Sequence, residues 1–88
     1  MSKIANLETH QFSRWEKNTR YYQAILQTDL FGWVVIKRWG GIGKSNGQQH
    51  TTPYPNYQAA QLEFHHVALK RKKRGYTLTI TRQHTNPG

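Results

Sequence analysis

The chain has 88 residues and no cysteine, and its 13 Lys and Arg against 4 Asp and Glu give a formal net charge of +9. This length is that of one small domain, which on folding buries roughly 60–68% of the surface of the unfolded chain. The missing cysteines exclude disulfides, thiolate nucleophiles and cysteine-based metal sites, and a hydrophobic content of 35% argues against full disorder. No apolar run approaches the roughly 20 residues of a membrane helix, and the N-terminus has no apolar stretch of the signal-peptide type. We therefore expect a soluble, cytoplasmic protein without a membrane partner.

The predicted elements begin with an alternation of side chains along residues 19–28, which is typical of a β-strand. A weaker pattern over residues 7–15 could supply an extra strand before it, with a turn at 16–18. Residues 33–39 are the strongest predicted strand because they are rich in β-branched and aromatic side chains, and the turn at 29–32 predicts a hairpin. The alternation places Trp33, Val35, Lys37 and Trp39 on one face and Val34, Ile36 and Arg38 on the other.

Four glycines between residues 40 and 47 predict a loop, after which residues 48–54 return as a third strand. Asn56 is a candidate N-cap for a helix from Tyr57 to about Lys73, and Gly75 is the expected C′ residue. The predicted buried stripe of this helix consists of Ala60, Phe64, Val67, Ala68 and Arg71. Arg71 is expected to lay its methylenes along the stripe and to keep its charged head in water.

Residues 76–81 alternate as a last strand. The elements predict one α+β domain over residues 1–82, a small, mostly antiparallel sheet with one helix packed on one face. The tail, residues 83–88, has no pattern and is expected to be disordered.

The positive charge is unevenly distributed, since residues 1–36 have four basic and three acidic groups, whereas residues 37–88 have nine basic groups and one acid, Glu63. The concentration of positive charge in residues 37–88 favours a polyanionic partner, most often nucleic acid.

Motifs of catalytic and metal sites are absent from the sequence. Gly43-Lys44-Ser45 resembles the end of a phosphate-binding P-loop, but Arg38 stands where the first glycine is required and no helix follows. The four carboxylates are scattered, and no histidine has a potential metal ligand at i+3 or i+4. We therefore expect no enzyme activity, no metal and no cofactor.

The most distinctive local sequence is Trp39-Gly40-Gly41-Ile42-Gly43, which follows the strongest strand. Together with residues 20–22 and with the basic run at 70–74 before Gly75 and Tyr76, it resembles the WGR domain. This module is named for a Trp-Gly-Arg motif and occurs in DNA-dependent poly(ADP-ribose) polymerases and as small free-standing bacterial proteins. Residues 29–33 and the basic run ending in Arg-Gly-Tyr are similar to the bacterial branch. The match extends from about Leu7 to Tyr76 and departs from the motif at one position, where Gly41 replaces the arginine.

The resemblance implies a mostly antiparallel sheet flanked by a helix, and a non-catalytic module that binds DNA at ends or nicks. It assigns Trp39 to the sugar of a terminal nucleotide and Gly40 to a close approach of the backbone. The motif arginine touches both DNA and neighbouring domains in the polymerases, so Gly41 implies weaker DNA binding. The candidate nucleic-acid-binding residues are Trp39, Gly40, Gly41, Arg38, Lys37, Lys44, Lys70, Arg71, Lys73 and Arg74.

The same residues admit other interpretations. From the sequence alone, Trp39 is at least as well explained as a cap on the core, and cations in the last helical turns also complement the helix dipole by about 0.3–1 kcal/mol each. Two further functions fit: docking on an acidic protein partner with Trp39 as a hydrophobic anchor, or binding of RNA or single strands by a basic, aromatic sheet. The sequence leaves the oligomeric state open.

Overall fold

The computed structural model describes residues 9–30 and 32–83, with Thr9 described by its backbone only. The described elements follow the chain in the order β1 Thr9–Lys17, β2 Arg20–Asp29, β3 Gly32–Gly41, β4 Gln48–Tyr54, α1 Tyr57–Lys73 and β5 Thr77–Gln83. The five strands form one antiparallel sheet in the order β4-β3-β2-β1-β5. Helix α1 packs on one face of this sheet, which confirms the predicted α+β fold.

The first and last strands end two residues later than the sequence patterns predict. Strand β1 continues to Lys17, and the turn to β2 is centred on Asn18, whose positive φ of 56° suits asparagine. Strand β5 includes Gln83, which the sequence analysis assigned to the tail. The remaining tail residues, 84–88, and the first part of the weak N-terminal pattern lie outside the described residues.

The core lies between α1 and the sheet. Its buried residues are Trp15, Ala24, Leu26 and Val35 on the sheet and Ala60, Phe64 and Val67 on α1. Leu26 and Val35 are fully buried cross-strand partners on β2 and β3, and each such side chain contributes about 1.5–3 kcal/mol on leaving water. On the opposite face of the sheet, Ile25, Val34 and Ile36 form a second, smaller buried cluster. The period-2 alternation of β3 therefore divides its apolar residues between two buried layers.

Both ends of α1 are capped. The Asn56 side-chain oxygen accepts a hydrogen bond of 2.8 Å from the Ala59 N–H, which confirms the predicted N-cap. At the other end Gly75 has a φ of +86°, a conformation that costs glycine little and other residues more. The Lys17 ammonium group donates a 2.7 Å hydrogen bond to the Arg74 carbonyl oxygen. A cation from the β1–β2 turn thus compensates the negative end of the helix dipole.

Strand β5 forms one edge of the sheet and pairs with β1, so the last described strand lies beside the first. Glu16 pairs with Thr77, and the register shifts between Arg14 and Trp15. The Thr79 hydroxyl donates to the Arg14 carbonyl oxygen at 3.1 Å in this irregular stretch. Among the residues that the structure describes, no helix is long and apolar enough to cross a membrane.

Candidate nucleic-acid interface

One end of the sheet brings together three segments that are far apart in the sequence: the β1–β2 turn, the β3–β4 loop and the end of α1. The Ile42 N–H donates to the Thr19 carbonyl oxygen at 2.8 Å, which joins the loop to the turn, and Lys17 joins the turn to the helix end. We call this region the loop end. Its cationic side chains are Lys17, Arg20, Lys44, Lys70, Arg71, Lys72, Lys73 and Arg74.

An open pocket of 420 Å³ lies at the loop end beside the distinctive Trp-Gly-Gly sequence. Its described lining consists of Thr19, Arg20, Trp39, Gly40, Gly41, Ile42, Lys44, Asn46 and Gln48. Two cations and no carboxylate occur in this lining. The pocket therefore combines an aromatic side chain with positive charge, the combination that favours nucleotides.

Trp39 is half-buried, and it has both a core-facing and a pocket-facing side. Its ring stacks on that of Tyr22, its cross-strand partner on β2, with centroids 5.8 Å apart and planes 12° apart. The Trp39 ring therefore packs against Tyr22 on one side and also lines the pocket.

Arg71 extends this aromatic packing towards the helix. Its guanidinium carbon lies 4.1 Å from the Tyr22 ring centroid and 4.9 Å from that of Tyr76. Its Nε is buried and has no hydrogen-bond partner within the described part of the chain. The Arg71 head is therefore less open to water than expected, because its Nε is buried and two aromatic rings lie beside the guanidinium group.

Lys37 lies on the helix-facing side of β3, where its ammonium group is 2.7 Å from a carboxylate oxygen of Glu63. Burial alone would lower the pKa of Lys37, but the hydrogen bond and the Coulombic attraction of Glu63 outweigh it and raise the pKa above the usual 10.5. Burial, followed by the charge of Glu63, raises the pKa of the neighbouring Tyr54 above 10.0. The charge of Lys37 is thus compensated within the protein.

Glu63 also approaches a histidine one helical turn away, since His66 Nδ1 lies 3.9 Å from its second carboxylate oxygen. The expectation that no histidine has a potential ligand at this spacing is therefore wrong. The pair does not amount to a metal site, because no three His, Asp or Glu side chains are grouped suitably among residues 9–30 and 32–83.

Arg38 lies on the opposite face of the sheet from Lys37, as the alternation of β3 predicts. Its Nε donates a 2.8 Å hydrogen bond to the side-chain oxygen of Gln49 on β4. The structure places the predicted binding residues in several groups. Trp39, Gly40, Gly41 and Lys44 line the pocket at the loop end. Lys37 is paired with Glu63 and borders the same cleft as Lys70 and Arg71, whereas Arg38 faces away and Lys73 and Arg74 lie at the end of α1.

The two glycines after Trp39 have different surroundings. A Cβ at Gly40 would lie 3.0 Å from the Gly47 Cα and 3.3 Å from the Tyr21 ring, so the missing side chain makes room for the returning loop. A Cβ at Gly41, where the motif has arginine, would lie 2.9 Å from the Lys44 Cγ. Lys44 thus occupies the space from which a motif arginine would extend.

Sequence reasoning missed Lys17, Arg20 and Tyr22 as parts of this region. Lys17 and Arg20 belong to the half of the chain whose net charge is only +1, so counting charge by segment hid them. The predicted hairpin of β2 and β3 could have indicated Arg20. In such a hairpin the first residue of β2 lies beside the end of β3, and here Arg20 pairs with Gly41.

Comparison with known proteins identifies the family. The family model of the WGR domain matches residues 5–83, nearly the whole chain. WGR domains are in general nucleic-acid-binding modules and not catalytic domains. Neither the curated proteins nor the solved structures include a match to this chain.

Proposed function

Because the chain belongs to the WGR domain family, we propose that it is a non-catalytic module that binds DNA at ends or nicks through the loop end. The observation that carries the proposal is the position of Trp39 in a pocket with Arg20 and Lys44. Phosphates are attracted by the cations around the pocket, and a terminal nucleotide stacks on the accessible part of the tryptophan.

The charge of the loop end supports this proposal. The helix contributes Lys70, Lys72, Lys73 and Arg74, all of them exposed, and the turn and the loop contribute Arg20 and Lys44. If six such cations contact phosphates, the logarithm of the affinity falls against the logarithm of the salt concentration with a slope of about −5. This electrostatic contribution does not depend on sequence, and it acts on any duplex.

The preference for ends or nicks comes from stacking on the Trp39 ring. In an intact duplex both faces of each base pair are stacked, whereas a blunt end, or a nick that opens, leaves the sugar and one base face of a terminal nucleotide accessible. The Trp39 ring is already stacked on the Tyr22 ring in the free protein, which restricts its orientation. A ring held in this way is preorganised for stacking, which reduces the entropy lost on binding.

The test compares a nicked circular DNA with the closed circle of the same sequence, by titration with wild-type protein and with W39A. We expect the wild type to prefer the nicked circle, and W39A to lose about 5- to 150-fold in affinity for it, which corresponds to about 1–3 kcal/mol of stacking. W39F keeps an aromatic ring and is the matched control, with a smaller loss.

Affinity for the closed circle should be the same in all three proteins, because phosphate contacts dominate there. Equal affinity of the wild type for both circles, unaffected by W39A, refutes end recognition. A preference for single-stranded DNA or RNA over both circles assigns the site to unpaired strands instead.

A further inference from the structure

Arg71 differs from the other cations at the end of α1. Lys70, Lys72, Lys73 and Arg74 are exposed, whereas Arg71 is half-buried and its Nε is fully shielded from water. A charged group in this position is stabilised by the faces of nearby aromatic rings. Arg71 has two such rings beside it: its guanidinium carbon lies 4.1 Å from the Tyr22 ring centroid and 4.9 Å from the Tyr76 ring centroid.

The surroundings of Arg71 connect it to Trp39 through Tyr22. The Tyr22 ring is contacted by the guanidinium group, by the edge of Trp15 at a centroid distance of 6.4 Å, and by the parallel ring of Trp39. These contacts restrict the orientation of the Tyr22 ring from several directions. The Tyr22 ring thus lies between the Arg71 guanidinium group and the Trp39 ring and links the two.

The chemistry of the guanidinium group explains why an arginine is needed. Its planar, delocalised charge stacks on aromatic faces and is weakly hydrated, so it tolerates a position between helix and sheet better than an ammonium group does. Lysine at the same position keeps the charge but cannot lie flat on two rings. A role in positioning and a role in contacting phosphate therefore predict different results for R71K.

We propose that Arg71 is a positioning residue: it holds Tyr22, and through it Trp39, in the orientation that a terminal nucleotide requires, and it does not itself contact phosphate. The proposal rests on the proposed function, because it concerns how the Trp39 site is made ready to bind. It reassigns one of the cations that the sequence analysis placed among the phosphate contacts.

The test measures binding of R71K and R71Q to the nicked and closed circles at several salt concentrations. We expect both variants to lose about 5- to 10-fold in affinity for the nicked circle, a loss of the size expected for a disturbed stacking contact. The slope against salt stays at the wild-type value, because no phosphate contact is removed. Affinity for the closed circle is unchanged.

The matched control is K73Q, which removes an exposed cation two positions after Arg71 on the same helix. It should weaken binding to both circles and reduce the size of the slope by about 0.9. If Arg71 instead contacts phosphate, R71K binds like the wild type and R71Q reproduces the smaller slope of K73Q. That pattern overturns the proposal.

A second readout does not depend on DNA. The indole N–H resonance of Trp39 in the free protein, assigned by its loss in W39F, should shift in R71K and stay in place in K73Q. An unshifted resonance in R71K also overturns the proposal. If R71K and R71Q do not fold, Y76L removes the second ring over Arg71 and should give the same affinity loss with the same slope.

The two hypotheses fail in different ways. If W39A does not weaken binding to the nicked circle, the proposed function fails. If W39A abolishes the preference for the nicked circle while R71K and R71Q retain it, only the role of Arg71 fails.

Discussion

Replacing Glu63 by glutamine tests the interaction between α1 and β3. The Glu63 carboxylate lies 2.7 Å from the Lys37 ammonium group, and the two side chains are 26% and 22% exposed. A hydrogen bond to a charged group contributes about 1.5–3 kcal/mol. Because both groups keep some contact with water, which screens them, we expect E63Q to lose about 1–1.5 kcal/mol of unfolding free energy at pH 7. For a domain of this size the midpoint of thermal unfolding then falls by about 4–12 °C.

The pH dependence of this loss follows from the raised pKa of Lys37. A folded-state pKa above the usual 10.5 means that the proton on Lys37 stabilises the fold. That contribution is complete below the pKa of the unfolded chain and disappears as the pH rises through the folded value. The raised pKa of Tyr54 acts in the same direction, because ionisation of this tyrosine is favoured in the unfolded chain. The difference in stability between the wild type and E63Q should therefore be largest near neutral pH and should shrink above pH about 10.5.

The matched control is E16Q, which also removes one carboxylate from an ion pair. Glu16 accepts a 2.9 Å hydrogen bond from Arg14, with side chains 35% and 21% exposed. Arginine stays charged throughout this pH range, so the stability cost of E16Q should persist where that of E63Q shrinks. Urea unfolding at pH 7 and pH 11 measures both. The reasoning is refuted if E63Q unfolds like the wild type at pH 7, or if its cost is the same at both pH values.

Alanine substitutions at the two glycines after Trp39 should differ in their stability cost. G40A should lower the unfolding free energy by about 1–3 kcal/mol in urea titrations, because its methyl group meets the Gly47 backbone at 3.0 Å, whereas G41A meets only the flexible Lys44 side chain and should cost much less. Equal stability of G40A and G41A would contradict this account of the loop. G41R restores the motif arginine at the expense of moving Lys44, and should steepen the salt dependence of DNA binding by about 0.9 in slope. An unchanged slope would mean that Lys44 already makes that phosphate contact.

The sequence predicts local features of this protein well because each depends on neighbouring residues. The N-cap at Asn56 and the left-handed Gly75 at the end of α1 are examples. The division of β3 between two faces is another, since a strand alternates its side chains whatever it packs against. The resemblance to the WGR family added an interpretation of Trp39 that no periodicity could give.

What the sequence could not predict depends on how the helix crosses the sheet. Lys37 and Glu63 are 26 positions apart, and they meet only because α1 lies over β3 on the face that Lys37 shares with the core. The rings over Arg71 come from β2 and from the residue before β5. A count of charges along the chain treats all cations alike, whereas the fold pairs Lys37 and Arg14 with carboxylates and places Arg71 against aromatic rings.

The pairing of β5 with β1 has a consequence for how the site forms. The loop end consists of the β1–β2 turn, the β3–β4 loop and the end of α1. Strand β5 follows α1 directly, and its pairing with β1, for example Thr77 with Glu16, holds the helix end beside Lys17. The site is therefore complete only when the last strand has joined the first, and detachment of β5 would release the helix end from Lys17. A ligand that occupies the loop end consequently stabilises the entire domain against unfolding, by about 2.7 kcal/mol at a concentration of about 100 times its Kd.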